Sequence, residues 1–201
     1  MNGNLSHPML RTFVNSQINI GIEVIGDHPK GLSLYNEIKK LYFVMIPKNA
    51  STSISMAALT STKDSWVPAI ADGTTDSQHI VILRDPVSRF ISAANMFLTA
   101  RKSLVGSLPL VLNNVLNTVD CHFQPQKKFI DSLSAGSIDF FWYNKNVVTE
   151  IKQYYGLKFN QFNLNLNIGT RLMTSVDESL IKKLYAKDYE LINSVKFVNM
   201  P

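Results

Sequence analysis

Two apolar runs along the chain each end in a polar turn that leads into a helical pattern. Residues 42–46, YFVMI, have the aromatic and β-branched content of a buried strand, and the run stops at Pro47. Lys48 follows, and then a cluster of small residues, 49–53. Apolar residues next recur at helical spacing, namely Ile54, Ala57 and Ala58. This pattern predicts a strand, a compact lysine-containing turn and a helix.

The second run, residues 80–83, predicts another buried strand. Pro86 then favours the first turn of a helix. The apolar stripe of that helix is Phe90, Ala93, Ala94, Phe97 and Leu98. Arg84 should project from the carboxyl end of the strand, the edge where open α/β sheets bind ligands. Ser92 comes eight residues after Arg84, about two helical turns on and off the apolar stripe.

Weaker patterns predict the other elements. Residues 18–25 and 138–143 have strand character, whereas 32–41 fits a short helix or a strand equally well. The polar stretch 60–78 predicts a long connection. Helical patterns cover 108–119 and the segment that ends at Gly156, and a last helix should turn Leu180, Ile181, Leu184 and Tyr185 inward.

The turn around Lys48 has the chemistry of an anion site. Small residues let several backbone N–H groups approach one anion at a helix N-terminus. The turn is not a Walker A motif, because its lysine comes first and it has no glycine. A magnesium-dependent nucleoside triphosphatase is therefore the weaker interpretation. An ordinary strand-to-helix connection capped by Ser51 or Thr52 is the alternative that this turn, taken alone, leaves open.

Composition restricts the class of protein. A chain of 201 residues with 45% hydrophobic content suits one folded domain. The single cysteine, Cys121, excludes an internal disulfide framework and suits a reducing compartment. No apolar run approaches the roughly 20 residues that a membrane span needs, and no signal peptide is recognisable, so we expect a soluble, cytoplasmic protein without a membrane partner.

The net charge of +5 and the pI near 9.3 fit an anionic partner. Lysines and arginines are scattered along the chain, and no nucleic-acid-binding signature is present. An anionic cofactor or polysaccharide is therefore the better expectation. Oligomeric state is not readable from the sequence.

PKNASTS, followed by RDPVSRFIS, resembles the two cofactor loops of sulfotransferases that use 3′-phosphoadenosine 5′-phosphosulfate (PAPS). The resemblance implies that the first loop holds the 5′-phosphosulfate and that Arg84 and Ser92 hold the 3′-phosphate. Many members have glycine at the position of Ala50, and small-molecule enzymes usually have tryptophan at that of Ser53, so the departures favour the carbohydrate-sulfotransferase-like branch, sulfotransferase family 2. The first-loop positions are Lys48, Asn49, Ala50, Ser51, Thr52 and Ser53.

A third segment resembles the same branch. The pattern D-x-H-[WF]-x-P-Q is matched by Asp120, His122, Phe123, Pro125 and Gln126. The acceptor hydroxyl needs a base with a pKa close to neutral, and His122 is the first choice. An acceptor contact or a loop-fixing hydrogen bond remains open for it. His79, Asp72 and Asp76 are the other candidate bases.

One family feature is missing from this chain. Relatives often have a Glu-Asn pair after the strand at 138–143, whereas this chain has Lys145 and Asn146. Any role attached to that glutamate is therefore in doubt here.

The resemblance implies a P-loop-like, three-layer α/β/α fold with a central, mostly parallel sheet. We expect one domain over residues 1–201, with a core at about 41–195 and an N-terminal extension at 1–40. The implied reaction transfers the sulfuryl group of PAPS to a hydroxyl of a small-molecule or oligosaccharide acceptor, leaves PAP, and needs no metal, with Lys48 and His122 as the catalytic residues.

Three alternatives remain. The first is a P-loop nucleotide kinase or NTPase. The second is a non-catalytic module that binds an anion or a polysaccharide. The third is a degenerate sulfotransferase that retains the cofactor site but has lost its acceptor.

Overall fold

A five-stranded mixed sheet forms the centre of the protein. The computed structural model describes residues 24–25, 28–29, 31–61, 64–71, 77–100, 121–131, 133, 136–158 and 178–200. A short pair, β1 (Val24–Ile25) and β2 (His28–Pro29), precedes the sheet. The five strands of the sheet are β3 (Leu32–Asn36), β4 (Leu41–Val44), β5 (Trp66–Ile70), β6 (Gln78–Leu83) and β7 (Ser137–Trp142).

The strand order is β5-β3-β4-β6-β7, and the sheet changes character along it. The pairs β5–β3 and β3–β4 are antiparallel, whereas β4–β6 and β6–β7 are parallel. The carboxyl ends of β4, β6 and β7 therefore lie at one edge of the sheet. That edge is where the two predicted cofactor segments begin.

Strand β6 carries apolar side chains on both of its faces, so both faces of the sheet must be covered there. Ile80 and Ile82 belong to one apolar cluster, and Val81 and Leu83 belong to another. Since successive strand residues point to opposite faces, the continuous apolar run predicts a strand that is buried on both sides. All four side chains are at most 1% exposed.

Helices supply the outer layers. The helices are α1 (Ser51–Leu59), α2 (Pro86–Ala100), α3 (Gln126–Ile130), α4 (Val147–Tyr155), α5 (Glu178–Leu184) and α6 (Ala186–Ser194), with a short 3₁₀ turn at Cys121–Phe123. α1 and α4 pack on the face of Ile80 and Ile82. α3 and α6 pack on the opposite face.

Helix α2 packs against the 3₁₀ turn and α5. Phe90, Ala93 and Ala94 of its predicted stripe are buried against Phe123 and Ile181. The side chains of the stripe's last two members lie outside the described residues.

The α/β class and several elements are confirmed. The strand, lysine turn and helix occur in the predicted order, and α2 begins at Pro86. Helix α4 ends where predicted, with Gly156 in the left-handed conformation at φ 61.

Four expectations need correction. The sheet is mixed rather than mostly parallel. Stretch 60–78, predicted as a connection, contains β5, whose Pro68 is tolerated because β5 is an edge strand. The predicted core, 41–195, is too short, since β3 lies inside the sheet and Phe197 is buried. The last helix is interrupted at Tyr185, so α5 and α6 are separate.

Other expectations lie outside the described residues, which leave out most of the predicted strand at 18–25 and the whole helix at 108–119. Within the described residues, no helix combines the length and the apolar character that crossing a membrane requires.

Two glycines with positive φ provide a matched test of the fold. A Cβ on Gly136 (φ +121) would lie 2.6 Å from the carbonyl oxygen of Ser77, whereas a Cβ on Gly156 (φ +61) would meet open space. We expect Gly156→Ala to cost about 1–2 kcal/mol of unfolding free energy from backbone strain alone. Gly136→Ala should cost roughly 3 kcal/mol or more, because strain and overlap add. Urea unfolding measures both, and equal losses would contradict this backbone geometry.

Candidate anion-binding site

The parallel pairing of β4 and β6 brings the two predicted cofactor segments together. Pro47 and Lys48 follow β4, Arg84 follows β6, and both lie at the same edge of the sheet. Tyr143 follows β7 at this edge, and its N–H donates to the carbonyl oxygen of Leu83 at 2.8 Å. The candidate site is therefore built from the carboxyl ends of three neighbouring parallel strands.

The lysine turn has an unusual backbone. Lys48 (φ 69) and Ala50 (φ 62) both have positive φ without being glycine. A positive φ costs a residue with a Cβ roughly 1–2 kcal/mol, and such strain is concentrated at functional sites. The conformation also explains why a glycine would suit the position of Ala50, as in the resembling family.

Helix α1 begins directly after this turn. Its N-cap residue is Ala50, and the described residues provide no side-chain cap hydrogen bond there. Ser51, Thr52 and Ser53 form the first turn, with Thr52 exposed. The predicted alternative, a helix capped by Ser51 or Thr52, is wrong, because both lie inside the helix. The first backbone N–H groups of α1 therefore have the orientation that anion binding requires.

The guanidinium of Arg84 points toward the lysine turn. Its Nη1 donates to the carbonyl oxygen of Lys48 at 3.0 Å, and its Nε donates to Oγ of Ser88 at 3.0 Å. The Tyr143 ring lies beneath the guanidinium, with its centroid 4.3 Å from Cζ. Ser88 in turn donates from its Oγ to the carbonyl oxygen of Asp85 at 3.0 Å.

Ser92, the predicted partner of Arg84, is half-buried one turn beyond Ser88 in α2. The hydroxyl bonded to the guanidinium is that of Ser88. The carboxylate of Asp85 accepts from the N–H of Ser88 at 2.7 Å, so Asp85 is the N-cap residue of α2.

Arg89 is a second cation tied to the lysine turn. Its side chain is only 2% exposed, and its Nε donates to the carbonyl oxygen of Pro47 at 3.1 Å. Its Nη1 donates to the carbonyl oxygen of Gln124 at 2.8 Å, which links the turn to the segment of the D-x-H-F-x-P-Q pattern. Burial lowers the pKa of Arg89, and the nearby Asp188 and Tyr185 oppose that change.

The positive charge of Lys48 lies close to other cations, which disfavour its charged form. Burial first, and then Arg84 and Arg89, lower the pKa of its amine. Nζ lies 3.7 Å from Sδ of Met96, and within the part of the chain that the structure describes Lys48 forms no ion pair. A bound anion would relieve this repulsion, so the electrostatics suit a negatively charged ligand.

A buried amide network lies beneath the site. Asn49 is 1% exposed, and its Nδ2 donates to the carbonyl oxygen of Ile82 at 2.7 Å and to Oε1 of Gln126 at 2.5 Å. Gln126 also bonds the backbone of Arg84 at both N–H and C=O. The lysine turn, the arginine and the third motif are thereby connected through the fully buried side chain of Gln126.

The candidate bases lie in different places. His122 is half-buried in the 3₁₀ turn, with Nδ1 3.6 Å from Sγ of Cys121. His79 is fully buried in the amino half of β6, where it stacks on Tyr42 and lies 3.1 Å from Oγ of Ser77. Arg84 lies five positions after His79, roughly 16 Å further along the extended chain. His79 is therefore not a base for this site.

The remaining candidates, Asp72 and Asp76, lie outside the described residues. Gln126, from the same segment as His122, bonds both the N–H and the C=O of Arg84, and the role of His122 stays a prediction.

Sequence reasoning missed the contributions of Ser88, Arg89 and Asp188. The serine and the arginine are in the quoted RDPVSRFIS segment, where helical spacing alone does not show which hydroxyl meets Arg84 or that a charged side chain is buried. Asp188 lies in a helical segment rich in charged residues, and no local sequence pattern indicates that it is buried.

Comparisons with known proteins do not assign the chain to a family. The chain matches no protein-family model, and searches of curated proteins and of solved structures gave no significant match.

The repulsion at Lys48 predicts a trade between stability and binding. Because the pKa of Lys48 is lowered on folding, the unfolded chain holds more protons once the pH exceeds the folded-state value, and stability rises with pH from there up to the ordinary lysine pKa. Lys48→Met should therefore stabilise the free protein at pH 7. Allowing for solvent screening, we expect about 1 kcal/mol, or roughly 2–4 °C in Tm.

Thermal unfolding across pH 7–10 measures this effect. The difference from wild type should shrink as the pH rises, because the wild-type amine then loses its charge. Lys196→Met, at an exposed position, is the control and should change Tm little. A Lys48→Met protein that is less stable than wild type at pH 7 would contradict the interpretation.

Proposed function

We propose that the protein is a PAPS-dependent sulfotransferase with a P-loop-like site, acting on a hydroxyl of a carbohydrate acceptor in the cytoplasm. The observation that carries the proposal is the contact between Nη1 of Arg84 and the carbonyl oxygen of Lys48. It unites the two segments that resemble the family's cofactor loops, although they are 36 residues apart along the chain.

The residues present fit a ligand with two anionic ends. The lysine turn and the N-terminus of α1 suit a 5′-phosphosulfate, since amine, helix dipole and backbone N–H groups act together there. The guanidinium of Arg84, which Ser88 and the carbonyl oxygen of Lys48 hold in place, carries the N–H donors for a second phosphate beside it. The exposed Met96 next to Lys48 adds apolar surface at the same place.

PAPS, as donor substrate, supplies the sulfuryl group in an in-line displacement. A bond forms between the acceptor oxygen and sulfur while the bond between sulfur and the 5′-phosphate oxygen breaks, and its electron pair stays on the phosphate. The protonated amine of Lys48 meets that growing charge, and its lowered pKa makes it a better proton donor. Ser51, Thr52 and the backbone of α1 hold the phosphosulfate in line.

His122 is the residue we assign to take the proton from the acceptor hydroxyl. It is half-buried rather than enclosed, and it belongs to the segment that Arg89 and Gln126 tie to the lysine turn. The unprotonated nitrogen of a neutral imidazole can accept that proton. The carbohydrate acceptor rests on the resemblance of this same segment to the carbohydrate-sulfotransferase-like branch.

The first test is a thermal-shift titration of the whole chain with PAP. At a concentration of 100 times Kd, we expect about 2.7 kcal/mol of stabilisation, or roughly 5–10 °C, with saturation. ATP with magnesium and heparin serve as probes of the kinase and polysaccharide-binding alternatives. Lys48→Met should remove the PAP shift, and the exposed-site control Lys183→Met should keep it. A larger response to magnesium ATP or to heparin than to PAP would refute the proposal.

The second test concerns His122. In His122→Ala, transfer of labelled sulfate from PAPS to chemically desulfated polysaccharides should fall by roughly 10²–10⁴-fold, the usual contribution of a general base. The PAP thermal shift is the internal control and should stay unchanged. Unaltered transfer would exclude His122 as the base. Wild-type binding of PAP without transfer to any desulfated polysaccharide would instead support a cofactor site without this acceptor class.

A further inference from the structure

The side chain of Gln126 is a point where three segments of the site meet. Its Oε1 accepts from Nδ2 of Asn49 at 2.5 Å and from the N–H of Arg84 at 3.0 Å. Its Nε2 donates to the carbonyl oxygen of Arg84 at 2.8 Å. One amide therefore bonds the turn after β4 and the residue after β6 at the same time.

Asp188 fixes the orientation of this amide. Its Oδ2 accepts from the backbone N–H of Gln126 at 2.9 Å and lies 3.5 Å from Nε2, and its Oδ1 accepts from the N–H of Lys127 at 2.9 Å. Gln126 and Asp188 are both 0% exposed. Each donor and acceptor of the glutamine amide thus has a partner, which selects one orientation of the side chain.

These contacts suggest a role in spacing the two ends of the site. Lys48 adjoins Asn49, and Arg84 is held through its own backbone, so a shift of either segment would break bonds to Gln126. Parallel pairing of β4 and β6 is described only from Leu41 to Phe43, before the turn begins. Beyond the end of that ladder, side chains must hold the two segments in register.

We propose that Gln126 is a positioning residue that sets the distance between the lysine turn and Arg84, and thereby lets one ligand contact both. It cannot touch the ligand itself, because it is fully buried. The inference rests on the proposed function for the identity of the ligand. The spacing role itself depends only on the hydrogen bonds.

The test compares ligands that reach one end of the site with a ligand that reaches both. PAP carries both phosphates, 5′-AMP carries only the phosphate for the lysine turn, and 3′-AMP only the one for Arg84. In Gln126→Met, which keeps the side-chain length but removes its polar groups, we expect PAP to bind roughly tenfold or more weakly. The affinities for 5′-AMP and 3′-AMP should stay within about twofold, because neither spans the two segments.

Matched controls separate spacing from loss of fold. Gln124→Met makes the same substitution two residues away, where the side chain accepts from the exposed Nζ of Lys128 at 2.8 Å. Leu41→Ala lowers stability through the core at the amino end of β4, the end of the strand opposite to the lysine turn. Both should keep the wild-type ratio of PAP to 5′-AMP affinity. Asp188→Asn, which loosens the glutamine and also removes the carboxylate near Arg89, is the second test variant and should show the Gln126→Met pattern more weakly.

A second readout needs no ligand. The N–H of Arg84 donates to Gln126, so hydrogen exchange at Arg84 should accelerate about tenfold or more in Gln126→Met, while the amides of α4 keep wild-type rates. Unchanged exchange at Arg84 would overturn the spacing role. Equal loss of affinity for PAP, 5′-AMP and 3′-AMP in Gln126→Met would also overturn it. If the wild-type protein does not bind PAP but Gln126→Met still accelerates exchange at Arg84, the proposed function is refuted and the spacing role is retained.

Discussion

The parallel pairing of β4 with β6 is the constraint on which the candidate site depends. It places the turn after one strand beside the arginine after the other, and the bond from Nη1 of Arg84 to the carbonyl oxygen of Lys48 follows from that placement. An antiparallel arrangement of the same two strands would put Lys48 and Arg84 at opposite edges of the sheet. The two antiparallel strands β5 and β3 contribute the outer part of the sheet and none of the site's cations.

Concentrating cations at this edge lowers the stability of the free protein and prepares it for an anion. Burial, and after it repulsion by Arg84 and Arg89, lowers the pKa of Lys48. The positive φ values at Lys48 and Ala50 add backbone strain at the same turn. Both costs are typical of sites where binding, rather than folding, sets the arrangement of residues.

A buried polar network compensates for part of these costs. Arg89 satisfies the carbonyl oxygens of Pro47 and Gln124, and Gln126 satisfies the backbone of Arg84. Burial raises the pKa of Asp188, while the N–H groups of Lys127 and Gln126 and the charge of Arg89 favour its ionised form. Oδ1 of Asn49 and Nη2 of Arg89 are buried without a hydrogen-bond partner among the described residues, and the bonds that the network does make hold the three motifs in one geometry.

The sequence by itself determined the local elements and the chemistry they carry: the apolar run before Lys48, the helix start at Pro86 and the helix end at Gly156 are short-range signals, and the structure has each of them. Tertiary structure alone decided that Ser88 meets Arg84, that His79 is remote, and that Arg89, Gln126 and Asp188 are buried together. It also decided that β5 is a strand, because Val67 and Pro68 are exposed and only pairing with β3 orders them. The reason is physical: periodicity reports on neighbours along the chain, whereas the burial of a polar group depends on partners from distant segments.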